Sequence, residues 1–230
     1  FGLVDEMDHF LYQSANSEIL RVGASVTAGT YIMNQITKRF QELMPQTHLQ
    51  VCVYSTPQIR SKLLTNELDV ALTEGDFDSG EMVTRSVIQD RLVLVCCAEH
   101  PFSRRAHVDK RELEDQEFVL RESTSGTRKL FDRFIRENHL NVKVSWICNN
   151  TEAVKLSVLD NRGMTLISES LVHQECQDGR LHIVEVDGVN FERDLSLVYH
   201  KDKQMTAALS QFCQLCQAFY EGPDDEGIKE

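Results

Sequence analysis

The chain has 230 residues, 41% of them hydrophobic and none in a low-complexity tract, enough to fold into one or two packed lobes. Twenty-four basic against thirty-six acidic residues give a formal net charge of −12, which repels polyanions and excludes an electrostatic grip on DNA by this piece alone. No window approaches the roughly 20 uninterrupted apolar residues of a membrane helix and the N-terminus lacks a secretion-signal pattern, so the chain reads as cytoplasmic, soluble and without a membrane partner.

The first residue is Phe1 and not Met, which suggests a fragment or a processed product. Residues 1–13 read as the end of a helix whose apolar Leu3, Met7, Phe10 and Leu11 want a partner surface. Ile19–Ala24 follows as a strand, Ser25–Thr30 as a hydroxyl-bearing turn, and about Tyr31–Met44 as a helix with Ile32, Ile36, Phe40 and Leu43 on one face, stopped by Pro45. Leu49–Tyr54 is a second strand. Ser55-Thr56-Pro57 is a polar turn with Pro placed to start a helix whose inward face is Ile59, Leu63 and Leu64. Leu68–Thr73 is a third strand, closed by Glu74-Gly75-Asp76. This βαβαβ order predicts a parallel sheet with helical crossovers, and such sheets take ligands beyond the carboxyl ends of their strands.

Val83–Val87 and Leu92–Cys97 read as two strands, the second apolar enough to be buried on both faces. After His100-Pro101 a second series begins with a short helix near Asp109–Glu114 and a strand at Phe118–Leu120. A Ser/Thr/Gly turn then opens a helix carrying Leu130, Phe131, Phe134 and Ile135 on one stripe. Strand Val142–Ile147, turn Cys148–Thr151 with a helix to Asp160, and strands Met164–Ile167 and Leu181–Val186 complete it. Phe191–Tyr199 is a late strand, Ala207–Tyr220 a helix that crosses back to cover the first lobe, and Pro223–Glu230 an acidic tail expected to be disordered. The expected fold class is therefore α/β in two similar lobes.

The chemistry concentrates in the turns. Ser123, Thr124, Ser125, Gly126 and Thr127 bring hydroxyls and free backbone N–H groups to the positive end of a helix, which suits an anion; the alternative is that Ser123 or Ser125 only caps that helix. The seven cysteines are odd in number and scattered, as suits a reducing compartment. Cys213 and Cys216 fall on an apolar helical face and read as core, and Cys96 and Cys97 are adjacent in a strand and point opposite ways. His173, Cys176 and His182 straddle an Asp178-Gly179 turn without ligand spacing, so no metal and no cofactor is assigned. The eight histidines stand beside no convincing Ser or Cys nucleophile, and no catalytic residue is named.

Leu20-Arg-Val-Gly-Ala-Ser25, Phe40-Gln-Glu-Leu-Met-Pro45, Leu63-Leu-Thr-Asn-Glu-Leu-Asp-Val-Ala-Leu72, His100-Pro101 and Arg121-Glu-Ser-Thr-Ser-Gly-Thr-Arg128 together resemble the effector-binding domain of bacterial LysR-type transcriptional regulators, in order and spacing over nearly all of residues 18–220. The resemblance implies a fold like type 2 periplasmic binding proteins, two Rossmann-like lobes joined by two crossover strands. Lobe I would comprise residues 17–98 and 199–222 and lobe II residues 99–198, after the end of a linker helix at 1–16. It implies a winged helix-turn-helix outside this chain as the route to DNA, and self-association as a dimer or tetramer. It places a small effector in the cleft at Ser25, Thr27, Ser55, Thr56, Ser123, Thr124, Ser125, Gly126, Thr127, Asn149 and Thr151. With so many hydroxyls there, an oxyanion or carboxylate is the expected ligand. Arg162-Gly-Met164 departs from the family's usual Gly-Leu-Gly, which leaves Ser168 as a further hydroxyl at the cleft. A transporter's solute-binding protein would share the fold, and an enzyme on it would need a nucleophile–base pair.

Overall fold

The computed structural model describes residues 18–75, 77 and 80–218. The helix end read at residues 1–13 and the tail from Pro223 lie outside them. In chain order the strands are β1 (Ile19–Ala24), β2 (His48–Val53), β3 (Val70–Glu74), β4 (Met82–Cys97), β5 (His107–Val108), β6 (Glu117–Arg121), β7 (Lys143–Cys148), β8 (Thr165–Ser168), β9 (Leu181–Val186) and β10 (Phe191–His200). The helices are α1 (Val26–Tyr31), α2 (Met33–Leu43), α3 (Thr56–Leu64), α4 (Gly126–Glu137), α5 (Thr151–Leu159), α6 (His173–Gln177) and α7 (Ala207–Ala218), with short 3-10 turns such as Lys110–Leu113.

One eight-stranded sheet runs β2-β1-β3-β10-β4-β9-β5, with β8 also pairing β4, and a two-stranded sheet joins β6 to β7. β1 pairs in parallel with β2 and β3, as the βαβαβ reading requires, and β10 closes that half antiparallel to β3. β4 and β10 belong to both lobes. They remain paired from Met82 opposite His200 to Leu92 opposite Phe191.

Alternation along these strands builds four cores, two per lobe. On β3, Val70 and Leu72 face the cluster of Phe40 and Phe212, while Ala71 faces the cluster of Ile59 and Leu63. On β4, Leu92, Leu94 and Cys96 pack with Phe118 and Phe131, while Val93 and Val95 pack with Val154 and Val158. The helix α7 returns to lobe I and buries Ala208, Leu209, Phe212, Cys213 and Cys216, with Phe212 edge-on to Phe40 at a centroid distance of 6.0 Å. Val87 and Leu195 lie in the lobe I core and Leu92 in that of lobe II. The change of core thus comes inside the two crossover strands, whereas the sequence reading divides the lobes at 98/99 and 198/199.

Several local expectations need correction. The helix read as starting near Tyr31 is two helices, the first opening at Val26 behind the N-cap Ser25. Leu43 and Leu64, placed inward by periodicity, are 44% and 40% exposed, because each ends its helix as the chain turns away from the core. Val83–Val87 and Leu92–Cys97 are one strand, continuous through the polar residues Gln89, Asp90 and Arg91.

Candidate functional site

Strand register brings charge to the point where the chain passes between lobes. Arg193 on β10 is directly opposite Asp90 on β4. Glu74, the last residue of β3, is opposite Leu195, so it shares Arg193's side of the sheet two positions along. Ser168 on β8 is opposite Leu92 and stands in the same diagonal relation to Asp90. These groups are enclosed: Glu74 and Asp90 are each 7% exposed and the Arg193 side chain 8%.

Buried charges persist only when paired and hydrogen-bonded, and each of these is. Arg193 Nε donates to Asp90 Oδ2 at 2.8 Å, Nη2 donates to Thr27 Oγ1 at 2.9 Å, and Nη1 donates to Thr127 Oγ1 at 3.0 Å. Nη1 also lies 3.6 Å from Glu74 Oε1. Ser168 Oγ donates to Asp90 and Ser25 Oγ donates to Glu74 Oε2. One guanidinium from a crossover strand therefore ties lobe I, through Thr27, to lobe II, through Thr127.

The two threonines occupy equivalent places. Ser25-Val-Thr27 opens α1 and Ser125-Gly-Thr127 opens α4, each serine at the N-cap. Each threonine hydroxyl accepts from Arg193, so its own proton is turned elsewhere, and neither proton meets an acceptor among the described residues. Both side chains are nevertheless deeply buried. Ser125 is also buried and makes no side-chain cap bond. Three enclosed hydroxyls with protons to donate call for an acceptor.

The space around this bar is divided. Between Thr27, Arg121, Thr127, Thr151 and Ser168 lies a pocket of about 10 Å³, room for roughly one water. A larger chamber of about 310 Å³ opens between Thr56, Glu74 and Gly75 of lobe I and Thr124, Gly126, Lys129 and Arg133 of lobe II, with Arg193 at its floor. A third space of about 190 Å³ is lined by Val26 and Thr30 of lobe I and by Asn150 and Lys155 of lobe II.

The structure thus gathers Thr27, Thr56, Thr124, Gly126, Thr127 and Thr151 on the walls of these spaces. Ser25 and Ser125 stand just behind them at the caps. Thr56 uses its hydroxyl within lobe I, 3.2 Å from the Glu74 carbonyl. Ser55, Ser123 and Asn149 are not lining residues: Ser55 forms a capping box with Gln58, Ser123 is exposed on the turn, and Asn149 is exposed beside Asn150, which caps α5. Arg128 turns back into lobe II, donating to Asp132 at 2.7 Å and to the Arg121 carbonyl at 3.0 Å. Sequence reasoning missed Glu74, Asp90 and Arg193. The available signal was the polar interruption Gln89-Asp90-Arg91 inside a run of apolar strand residues.

Comparison with known proteins places this geometry in context. A family model described as LysR substrate binding domain matches residues 13–221. A probable RuBisCO transcriptional regulator of Chlorokybus atmophyticus is 30% identical over 210 residues, covering 87% of this chain and 66% of that protein. This chain therefore spans about two thirds of that regulator's length. Among solved structures, the CcmR regulatory domain of Synechocystis PCC6803 in complex with 2-PG matches at a TM-score of 0.83 and 20% identity, over 90% of this chain and 99% of that one. The effector-binding domain of QuiR in complex with shikimate matches at 0.79 and 15%, over 90% and 98%. At these identities the two structures establish the fold. No helix among the described residues is long and apolar enough to cross a membrane.

Proposed function

From the premise that this chain belongs to the LysR substrate-binding family, the effector-binding domains of LysR-type regulators, we propose that it senses a small carboxylate or oxyanion held at the Thr27–Arg193–Thr127 junction. The observation that carries this reading is the pair of buried threonine hydroxyls whose oxygens are committed to Arg193 while their protons face no acceptor among the described residues. A ligand oxygen between them would take one charge-assisted bond from each lobe. The carboxylate of shikimate, bound by the fold relative QuiR, belongs to the same chemical class.

The junction also suggests the mechanism. A ligand that touches both lobes favours the lobe angle at which both contacts are made, and it moves the equilibrium only by that difference in affinity. The angle then passes through contacts between copies of the domain to DNA-binding heads carried elsewhere in the full-length regulator. The outer edges offer surfaces for such contacts: on β7 and α5 of lobe II, Trp146, Ile147 and Leu156 are 50%, 65% and 58% exposed.

The test is a thermal-shift screen of this chain against sulfate, phosphate, shikimate and small dicarboxylates, repeated with Thr27→Val and Thr127→Val. A ligand at a hundred times its Kd raises stability by about 2.7 kcal/mol, and each Val variant is expected to lose that shift while keeping its own melting point within a few degrees. Full ligand affinity in both variants removes the site.

A further inference from the structure

Resting on the anion reading above, we infer that Glu74 makes the larger chamber select organic anions that carry a hydrogen-bond donor, a hydroxyl or an ammonium group, over anions that carry none. The chamber has two poles. Lys129 and Arg133, one turn apart on α4, are exposed toward it and have no carboxylate partner among the described residues. Opposite them stands Glu74, buried at the end of β3.

The two oxygens of that carboxylate are unequally served. Oε2 accepts from Ser25, whereas Oε1 has only the 3.6 Å approach of Arg193 Nη1 and no hydrogen-bond donor among the described residues. Arg193 cannot close the gap cheaply, because its Nε is held by Asp90 and its two terminal nitrogens by Thr27 and Thr127. An enclosed carboxylate oxygen short of a donor is a costly arrangement that a ligand donor relieves.

Position 126 shows how closely this carboxylate is fitted to lobe II. A Cβ on Gly126 would stand 2.5 Å from Glu74 Cγ and 3.1 Å from Oε1. Only glycine lets the carboxylate rest against the start of α4, so Glu74 is fixed facing the chamber. A bare oxyanion drawn to Lys129 and Arg133 meets this negative wall with nothing to offer it. A hydroxy- or amino-dicarboxylate with one carboxylate at the threonines reaches past Arg193 to place its other carboxylate at the basic pole and its donor at Oε1.

The experiment is calorimetric titration of the chain with succinate, malate and aspartate, which differ only in carrying H, OH or NH3+ on one carbon, in wild type, Glu74→Gln, Gly126→Ala and Thr127→Val. Malate or aspartate is expected to bind wild type at least about tenfold more tightly than succinate, the worth of one hydrogen bond to a charged group. The ratio is expected to fall toward one in Glu74→Gln. Gly126→Ala, which displaces the carboxylate without removing it, is expected to reduce the ratio too and covers the case of a poorly folded Gln variant. Whichever of malate and aspartate binds tighter identifies the donor. A ratio near one in wild type, or one unchanged in both Glu74→Gln and Gly126→Ala, overturns the inference while leaving the anion site intact if Thr127→Val still abolishes binding. If none of the three binds, the inference falls, while the anion reading is decided by the wider screen with sulfate, phosphate and shikimate.

Discussion

Replacing Arg193 by Met removes the cation that ties the two lobes together and leaves its shape nearly filled. Among the described residues Asp90 then keeps only its Ser168 donor and Glu74 only its Ser25 donor, so two carboxylates remain buried without a counter-charge there. Breaking a buried pair in this one-sided way costs about 3–5 kcal/mol. For a domain of this size each kcal/mol lowers Tm by about 2–4 °C, so the variant is expected to melt about 6–20 °C lower. Urea unfolding followed by circular dichroism measures the loss directly. The double variant Arg193→Met/Asp90→Asn is expected to recover at least about 1 kcal/mol relative to the sum of the single losses, because the two side chains share one contact. Arg193→Lys is expected to restore part of the stability but none of the ligand response, since a single ammonium cannot reach Asp90, Thr27 and Thr127 together. A loss below about 1 kcal/mol in Arg193→Met, or strict additivity with Asp90→Asn, would refute the view that this guanidinium holds the junction.

Other expected outcomes follow from the same structure. Burial lowers the pKa of His100, whose Nδ1 accepts the Phe102 N–H at 3.2 Å, so the neutral ring is the folded form. Below about pH 6.5 the unfolded chain binds the extra proton first, so this stabilisation, full above that pH, is lost on acidification toward the lower folded value. His100→Asn, which retains an acceptor, should show a smaller loss of unfolding free energy between pH 7.5 and pH 5; an identical loss in both proteins would contradict the assignment. Burial pushes the Cys96 thiol up to about 12 and Cys213 to about 11, so a thiol reagent at pH 8 should label Cys52 in the native protein and reach Cys96 and Cys213 only after unfolding. Rapid native labelling of Cys96 would contradict that burial. Phe40→Ala, at a fully buried ring packed on Phe212, should cost about 3–5 kcal/mol in urea unfolding without altering ligand preference. Ile147→Arg should lower the sedimentation coefficient at high protein concentration if the β7 edge is the contact between copies.

The order of strands and helices in lobe I is legible in the sequence, although the break between α1 and α2 and the continuity of β4 are not. β1 was read with its observed bounds, and the β2 and β3 assignments were off by at most two residues, because alternating or continuous apolar runs between polar turns leave little choice. The Ser-x-Thr turns were legible for the same reason, since a hydroxyl just before an amphipathic helix marks both a cap and a place for an anion. Asp90 and Arg193 were not. Each is a charge inside a strand, where local pattern reads it as solvent-facing, and they are partners only because β4 and β10 pair in one particular register across more than a hundred residues of intervening chain. Glu74 looked like the polar start of a loop. Ser25, Arg193 and the start of α4 at Gly126 close around it instead.

The shared β4–β10 ribbon has a consequence for how such a protein changes over generations. The chain leaves lobe I along β4 and returns to it along β10, so lobe I is encoded in two separated stretches and lobe II as an insert between them. A new lobe II grafted by recombination needs two breakpoints that face each other across the ribbon, near Asp90 and near Arg193, and a shift of one residue at either would turn inward-facing side chains outward. Inheritance of ligand preference is therefore tied to the joint between the lobes, and a graft that carries in a different residue at either breakpoint exchanges the sensor's charge along with its shape.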